Sequence, residues 1–193
     1  MIIRKKFDFE NAHIVRNCSS KRCRESIHGH SYRVEVLLES HFLDNAGMVY
    51  DFGLMRGAIR DIIDSFDHAT TVWSGDDENY VREMKKISAR WVELPFNPSA
   101  EQFSRVIFAL IDRVLSLTQM QNGERGVRLN SVIVHETGNG YAQCFREDVE
   151  NENMGKIEFD KIKFSPQVMS EWDDPKMMER IILGQKFINP KEC

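Results

Sequence analysis

The sequence lacks the features that mark several broad classes of protein. No apolar run among its 193 residues approaches the roughly 20 residues that a membrane helix needs. The first residues lack an apolar core followed by small residues, so we expect no secretory signal. No glycine-rich phosphate loop, dinucleotide-binding fingerprint or internal repeat is visible. The formal net charge of −4 argues against general nucleic-acid binding.

Cysteine is also scarce. The four cysteines, at positions 18, 23, 144 and 193, show no regular disulfide framework. Because disulfides are rare in reducing compartments, this pattern favours a cytoplasmic protein. The length and the 41% hydrophobic content fit one domain with a real core, or a smaller domain with appendages.

The most informative stretch is His28-Gly29-His30, which opens a run with the period-two alternation of a half-buried strand. Side chains two residues apart on a strand point the same way, so the two imidazoles face one side. Gly29 has no side chain, which lets a ligand or a second chain come close. Two such imidazoles are two-thirds of a zinc site of the kind that keeps an open position.

The third ligand has several candidates. His13 lies near the end of another alternating run and would leave the fourth tetrahedral position for water or substrate. Alternatively, Cys18 or Cys23 fills that position and closes a structural Cys/His site. The simplest alternative is that no metal binds and the histidines are polar strand residues.

Several other residues are candidates for proton transfer or binding. In the Asp67-His68 pair, the carboxylate could orient the imidazole and leave its other nitrogen free for proton transfer. The pair could equally be an ordinary polar end of a helix. Cys23 could act as a base or nucleophile, and Glu25 is the other possible base in the same loop. Glu136, if buried, could pair with the N–C–N edge of a heterocycle through its two oxygens.

A basic cluster surrounds the first two cysteines and consists of Arg16, Lys21, Arg22 and Arg24. Such a cluster is commonly a solvated loop. It could also form a patch that receives an anionic substrate.

The hydrophobic periodicity predicts an α+β domain, because strands arranged as antiparallel hairpins flank two helices. The predicted elements are strands at 7–13, 28–39 and 48–50, a helix at 52–66 capped by Asp51, an irregular insertion at 73–97 with a short helix at 81–91, a helix that starts with a Ser99–Gln102 capping box and runs to Leu117, and strands at 127–136 and 141–146. Residues 148–193 are highly charged and are predicted to be an extension that packs on the main domain or on a neighbouring subunit.

Taken together and in this order, the motifs resemble the 6-pyruvoyltetrahydropterin synthase and 6-carboxytetrahydropterin synthase superfamily. The motifs are His13, Cys23 with His28-Gly29-His30, Asp67-His68, Ser99-Ala100-Glu101 and His135-Glu136-Thr137. The resemblance spans residues 1–147, with 73–97 as an enlarged insertion and 148–193 uncovered. It implies the tunnelling fold, a four-stranded antiparallel sheet with two helices on one face. It also implies a homo-oligomer, in which three subunits close a barrel and two trimers stack into a hexamer.

The resemblance further implies a set of site residues. Its metal ligands would be His13, His28 and His30, which would bind Zn²⁺; its catalytic residues would be Cys23 as the base and Asp67 with His68 as the proton relay; and its substrate-binding residues would be Glu136, Glu101 and Glu25. The implied substrate is a small-molecule pterin, 7,8-dihydroneopterin triphosphate. The usual bacterial product is 6-carboxy-5,6,7,8-tetrahydropterin, formed with loss of acetaldehyde and triphosphate on the route to queuosine. The pyruvoyl-forming activity is a further option.

The loop before the histidines departs from the family pattern. Four residues separate Cys23 from His28, where carboxytetrahydropterin synthases usually have three. In addition, Glu25 and His28 match the Glu-x-x-His-Gly-His pattern of a branch that cleaves dihydroneopterin derivatives for folate synthesis. The chain is therefore either a carboxytetrahydropterin synthase with a lengthened loop or an enzyme of both reactions. Two non-enzymatic alternatives are a zinc-stabilised binding module and a scaffold protein that has lost turnover.

Overall fold

The computed structural model describes residues 1–191, so Cys193 lies outside the described residues. The strands in chain order are β1 (Ile2–His13), β2 (His28–Glu39), β3 (Ala69–Trp73), β4 (Trp91–Leu94), β5 (Thr118–Gln119), β6 (Arg128–His135), β7 (Tyr141–Cys144), β8 (Lys163–Phe164) and β9 (Phe187–Ile188). Within the described range, seven of them form one mixed sheet in the order β7-β6-β2-β1-β3-β4-β8, and β5 pairs with β9.

Seven α-helices accompany these strands over residues 1–191. They are α1 (Lys21–Glu25), α2 (Ala58–Asp64), α3 (Glu78–Ile87), α4 (Ala100–Leu117), α5 (Arg146–Glu150), α6 (Pro166–Ser170) and α7 (Met177–Leu183). Among the described residues, none of the helices combines the length and the apolar character needed to cross a bilayer.

The centre of the fold is the long antiparallel pair of β1 and β2, whose register runs from Ile2 opposite Glu39 to His13 opposite His28. Alternate side chains of β2, among them Val34 and Val36, are buried on one face of the sheet. The apolar stripes of α2 and α4 pack into the same core. The α+β class predicted from the sequence is therefore confirmed.

The structure does not confirm a sheet of only four strands. Four strands, β7, β6, β2 and β1, are indeed antiparallel neighbours, but the sheet continues beyond them. β3 runs parallel to β1, β4 runs parallel to β3, and β8 closes the edge in the antiparallel direction. These strands have five, four and two residues, so each is too short to produce a clear alternating pattern.

Two predictions for residues 48–66 are wrong. Residues 52–66 are not one helix, because Asp51 caps a turn at Gly53 and the chain breaks at Gly57, with φ −82° and ψ −129°, before α2 begins. Residues 48–50 are not a strand; they follow a turn in which the Asp44 carboxylate accepts bonds from the amides of Ala46 and Met48.

At the start of α4, Ser99 does accept a bond from the amide of Gln102, at 3.5 Å. The Gln102 side chain does not complete the predicted capping box; it accepts a bond from Arg105 at 2.8 Å instead.

The insertion at 73–97 is ordered rather than irregular. Its helix α3 starts earlier than predicted, because the Asp77 side chain caps it by accepting a bond from the amide of Tyr80. Trp91, predicted to end that helix, instead begins β4.

The extension at 148–193, as far as it is described, packs on the main domain of the same chain. It contributes six side chains to the common core, namely Ile162, Phe164, Val168, Trp172, Met177 and Ile181. The indole nitrogen of Trp172 donates to Ser65 at the end of α2, at 2.8 Å. The division of the chain at residue 147 stays a prediction.

Candidate metal centre and active site

The register of β1 and β2 brings three histidines together at the end of the sheet. His13 lies directly opposite His28, and His30 lies two residues further along β2 on the same face. The ring centroids are 4.6 Å apart for His13–His28, 5.3 Å for His13–His30 and 5.2 Å for His28–His30. One nitrogen from each ring lies within 4.8 Å of the others, so the three residues form a group that could hold a metal ion.

Backbone carbonyl groups fix the orientation of two of these rings. His13 Nδ1 donates to the carbonyl of Pro98 at 2.6 Å, and His28 Nδ1 donates to that of Ser26 at 3.0 Å. In a neutral imidazole that donates from Nδ1, the lone pair is on Nε2 and is available to a metal. Burial, with the neighbouring His28 and His30, lowers the pKa of His13 to about 4 despite the bond to Pro98. His13 is therefore neutral at physiological pH, the form in which histidine binds metals.

Tyr32 and Glu136 border the histidine cluster. The Tyr32 hydroxyl donates to Glu136 Oε1 at 3.2 Å and lies 3.5 and 3.4 Å from the two ring nitrogens of His13. Because it is nearly equidistant from both nitrogens, it is not aligned with the lone pair of either. Glu136 Oε1 is 3.9 Å from Nε2 of both His13 and His30. Burial raises the pKa of Tyr32, and the charge of Glu136 raises it further, so the phenol stays protonated.

No cysteine belongs to the metal-binding group formed by the residues that the structure describes. Cys18 Sγ donates instead to the carbonyl of Ser20 at 3.2 Å. Three protein nitrogens leave one position of a tetrahedral site for a small molecule. This observation argues against the closed Cys/His site.

Cys23 and Glu25 lie on α1, the short helix between β1 and β2. The helix is attached to the end of β1 because the amide of Val15 donates to the Cys23 carbonyl at 3.0 Å. The Cys23 thiol is near enough to Tyr32 to contribute to the raised pKa of that phenol. Glu25 is half exposed and pairs with Arg24 at 3.4 Å and Lys21 at 3.8 Å.

The Asp67-His68 pair lies on the turn between α2 and β3. Asp67 Oδ2 accepts a bond from His68 Nδ1 at 2.8 Å, while its Oδ1 accepts one from the amide of Glu10 at 2.7 Å. Burial raises the pKa of Asp67, but these bonds and the charges of His68 and Arg90 outweigh it and leave the pKa lowered. The His68 side chain is 75% exposed. His68 and His30 line the same shallow pocket of about 360 Å³, but the structure does not bring the pair into bonding contact with the cluster.

The remaining predicted residues lie around this centre. Glu101 is exposed in the first turn of α4, one turn from the Pro98 carbonyl that holds His13. In the basic cluster, Arg16 binds Asp76 at 2.7 Å and the Arg24 carbonyl at 3.0 Å, so it has a structural role. Lys21 and Arg22 are exposed and remain available to an anionic ligand.

Sequence reasoning missed two groups that shape the centre. Tyr32 is not among the residues predicted for the site, although its spacing of two from His30 already predicts the same face of the strand. The Pro98 carbonyl could not have been found, because every residue has a carbonyl and only the folded chain selects one.

Fold and site together define an α+β protein with a three-histidine group that could hold a metal ion. The chain belongs to the 6-pyruvoyl tetrahydropterin synthase family, whose model matches residues 2–147. It is 39% identical over 187 residues to a protein of Helicobacter pylori strain J99 named 6-carboxy-5,6,7,8-tetrahydropterin synthase, covering 96% of this chain and 94% of the relative. It is also 27% identical over 127 residues to an Aquifex aeolicus protein of the same name, covering 63% of this chain and 75% of that one.

Solved structures support the fold. An uncharacterized protein of Wolinella succinogenes superposes with a TM-score of 0.57 at 24% identity, covering 76% of this chain and 98% of that one. The 6-pyruvoyl tetrahydropterin synthase of Plasmodium vivax superposes with a TM-score of 0.54 at 20% identity, with the same coverage. About a quarter of this chain thus has no counterpart in those structures, whereas the Helicobacter relative extends over nearly the whole chain.

Proposed function

We propose that this protein is a zinc-dependent 6-carboxy-5,6,7,8-tetrahydropterin synthase. It would convert 7,8-dihydroneopterin triphosphate into 6-carboxytetrahydropterin, acetaldehyde and triphosphate on the route to queuosine and other 7-deazapurines. The observation that carries this proposal is the convergence of His13, His28 and His30 on one point at the end of the sheet. The name of the Helicobacter pylori relative supports the same reaction.

The donor set fits Zn²⁺. Three imidazoles with two fixed tautomers and a free fourth position match the ligand number of catalytic zinc sites. His13, His28 and His30 would hold the zinc ion, which would supply Lewis-acid chemistry to the substrate side chain.

The residues of the chain would move the protons. Cys23 is the proposed base that removes a proton from the substrate side chain, and Glu25 is the alternative base on the same helix. His68 Nδ1 donates a hydrogen bond to the Asp67 carboxylate, so His68 Nε2 is the nitrogen that would give or take a proton.

The carboxylate groups are proposed to orient the pterin ring. Glu136 has one oxygen bonded to Tyr32 and is 32% exposed, so it can accept the two N–H groups of a pterin N–C–N edge. Glu101 and Glu25 are the further proposed substrate contacts.

A homo-oligomer, a trimer or a hexamer, is part of the proposal. The outward-facing His68 and the edge position of β7 support it, since an edge strand has unpaired backbone groups that can join another chain. Two exposed apolar residues flank this edge strand: Tyr141 is the first residue of β7, and Phe145 directly follows its last residue. A cytoplasmic location is also proposed, because Cys18, Cys23 and Cys144 are free thiols.

Product analysis by mass spectrometry with 7,8-dihydroneopterin triphosphate tests the proposal. We expect the zinc-loaded wild type to form 6-carboxytetrahydropterin and Cys23→Ala to lower kcat by about 10²-fold or more, because it removes a general base. Glu25→Ala should keep the product, and Cys18→Ala is the matched thiol control.

Other outcomes would identify the alternatives. A product that has lost the side chain, with activity dependent on Glu25, would assign the chain to folate-type cleavage. A pyruvoyl product would assign the chain to the pyruvoyl-forming activity of the family. Zinc binding without turnover of any of these pterins would leave a binding module and contradict the enzymatic proposal.

A further inference from the structure

A single guanidinium group holds the turn that carries Asp67 and His68. Arg90 belongs to the insertion, immediately before β4. Its Nε donates to the carbonyl of Asp67 at 2.7 Å, and its Nη2 donates to that of Asp64 at 2.6 Å. Its Nη1 pairs with the carboxylate of Glu171, which lies in the extension. The side chain is only 16% exposed.

The backbone of Arg90 holds the other end of the same turn. Its carbonyl accepts bonds from the amide of Thr70 at 3.0 Å and from the hydroxyl of Ser88 at 2.7 Å. Arg90 therefore fixes the chain on both sides of His68. His68 has a φ of 50°, a left-handed conformation that a non-glycine residue keeps only when its surroundings hold it there.

We propose that Arg90 is a positioning residue for the Asp67-His68 pair. By binding the carbonyls of Asp64 and Asp67, it sets the path of the turn and hence the direction of the His68 ring. The inference rests on the proposed function, in which this pair transfers protons. This role of Arg90 involves both the insertion and the extension in catalysis. The insertion contributes Arg90 itself, and the extension contributes Glu171, which pairs with the guanidinium.

Arg90 could alternatively be only a cap for α2, since cations near the end of a helix stabilise its last carbonyls. A cap would affect the stability of the protein, whereas a positioning residue affects kcat through His68. The experiment must therefore separate these two effects.

The first variant is Arg90→Lys, which keeps the charge but cannot donate to two carbonyls and a carboxylate in a planar arrangement. We expect kcat to fall about tenfold or more, because small displacements of a catalytic group are costly, while KM stays within about twofold. Arg82→Gln is the matched control, since this exposed arginine of the same insertion binds Asn79 and Glu83 and should leave kcat unchanged. Circular dichroism verifies folding, and bound zinc is measured in each variant.

A double-mutant cycle gives the decisive measurement. If Arg90 acts through His68, Arg90→Lys should lower kcat by less than about twofold in a His68→Asn background, because the positioned group is already absent. The same tenfold loss in both backgrounds would overturn the inference. Glu171→Gln, which loosens the guanidinium without removing it, should show the same dependence with a smaller loss, and it decides the question should Arg90→Lys not fold.

The failure of the inference can be distinguished from the failure of the proposed function. If His68→Asn leaves kcat unchanged, the pair transfers no proton, and both are wrong. If His68→Asn is impaired but folded Arg90→Lys retains wild-type kcat, only the role of Arg90 is wrong.

Discussion

The histidine cluster and the Asp67-His68 pair are built in opposite ways. His13 is fully buried, and its ring is held by a backbone carbonyl and by the register of two long strands. The His68 ring is mostly exposed, and the bond that holds it comes from the preceding residue. Burying a polar ring requires that its bonds be satisfied within the chain, whereas an exposed ring remains free to meet a substrate or another subunit.

This difference indicates how the two parts would work. A metal centre needs several ligands at fixed distances, and a strand pair in strict register supplies them before any ligand binds. A proton relay needs access to the substrate, and an exposed ring on a turn that Arg90 holds provides it. Three sets of substitutions test this contrast, and the loss expected from each is smaller than that from the one before.

His13→Ala should have the largest effect. Removing a residue that only hydrogen-bonds to a metal ligand typically lowers metal affinity or activity by about 10–100-fold. Removing a ligand itself should therefore abolish turnover. We expect zinc content, measured by elemental analysis, to fall with it. His41→Ala, which changes an exposed histidine outside the cluster, is the matched control and should retain both zinc and activity. Full zinc occupancy in a folded His13→Ala protein would contradict the assigned site.

His68→Asn should separate the two parts. We expect kcat to fall about 10²-fold, since general acid–base groups contribute that order of magnitude, while zinc content stays at the wild-type level. Elemental analysis and steady-state kinetics on the same preparation check both expectations. Loss of zinc together with activity would show that the pair belongs to the metal centre after all.

Replacing Lys21 and Arg22 together by alanine should have the smallest effect. Both are exposed, so they can attract the triphosphate group only through screened charges. We expect KM for 7,8-dihydroneopterin triphosphate to rise several-fold with little change in kcat, and the difference from wild type to shrink at high salt. Replacing Lys156 and Lys161 together by alanine, two exposed lysines of the extension, controls for the loss of two positive charges. An unchanged KM would remove this loop from the substrate site.

The sequence predicted those parts of the fold that have long periodic patterns. β2, α4 and the second half of β1 could be recognised because their residues repeat the strand and helix periods clearly, whereas residues 2–6 of β1 were not predicted. β3, β4 and β8 could not be recognised, because a strand of two to five residues gains its identity from its neighbours in the sheet. The break at Gly57 within the predicted helix at 52–66 could not be predicted either, because the apolar stripe continues across it while the backbone leaves the helical conformation there.

In the candidate site, too, only the features with a sequence pattern could be predicted. Strand alternation places His28 and His30 on one face, and His13 joins them as one of several candidates that the family resemblance then favours. The contacts of Arg90 and of the Pro98 carbonyl could not be predicted, because they join segments distant in the chain through backbone groups without any residue signature.

The buried indole of Trp172 also has a practical use. It bonds to Ser65 and lies 5.2 Å from the ring of Phe164, so it reports on the segment just before the Asp67-His68 turn. An indole that moves from such dry surroundings into water emits light at longer wavelength. In a variant that lacks the other two tryptophans, Trp73 and Trp91, the emission wavelength of Trp172 would therefore follow the docking of the extension on α2.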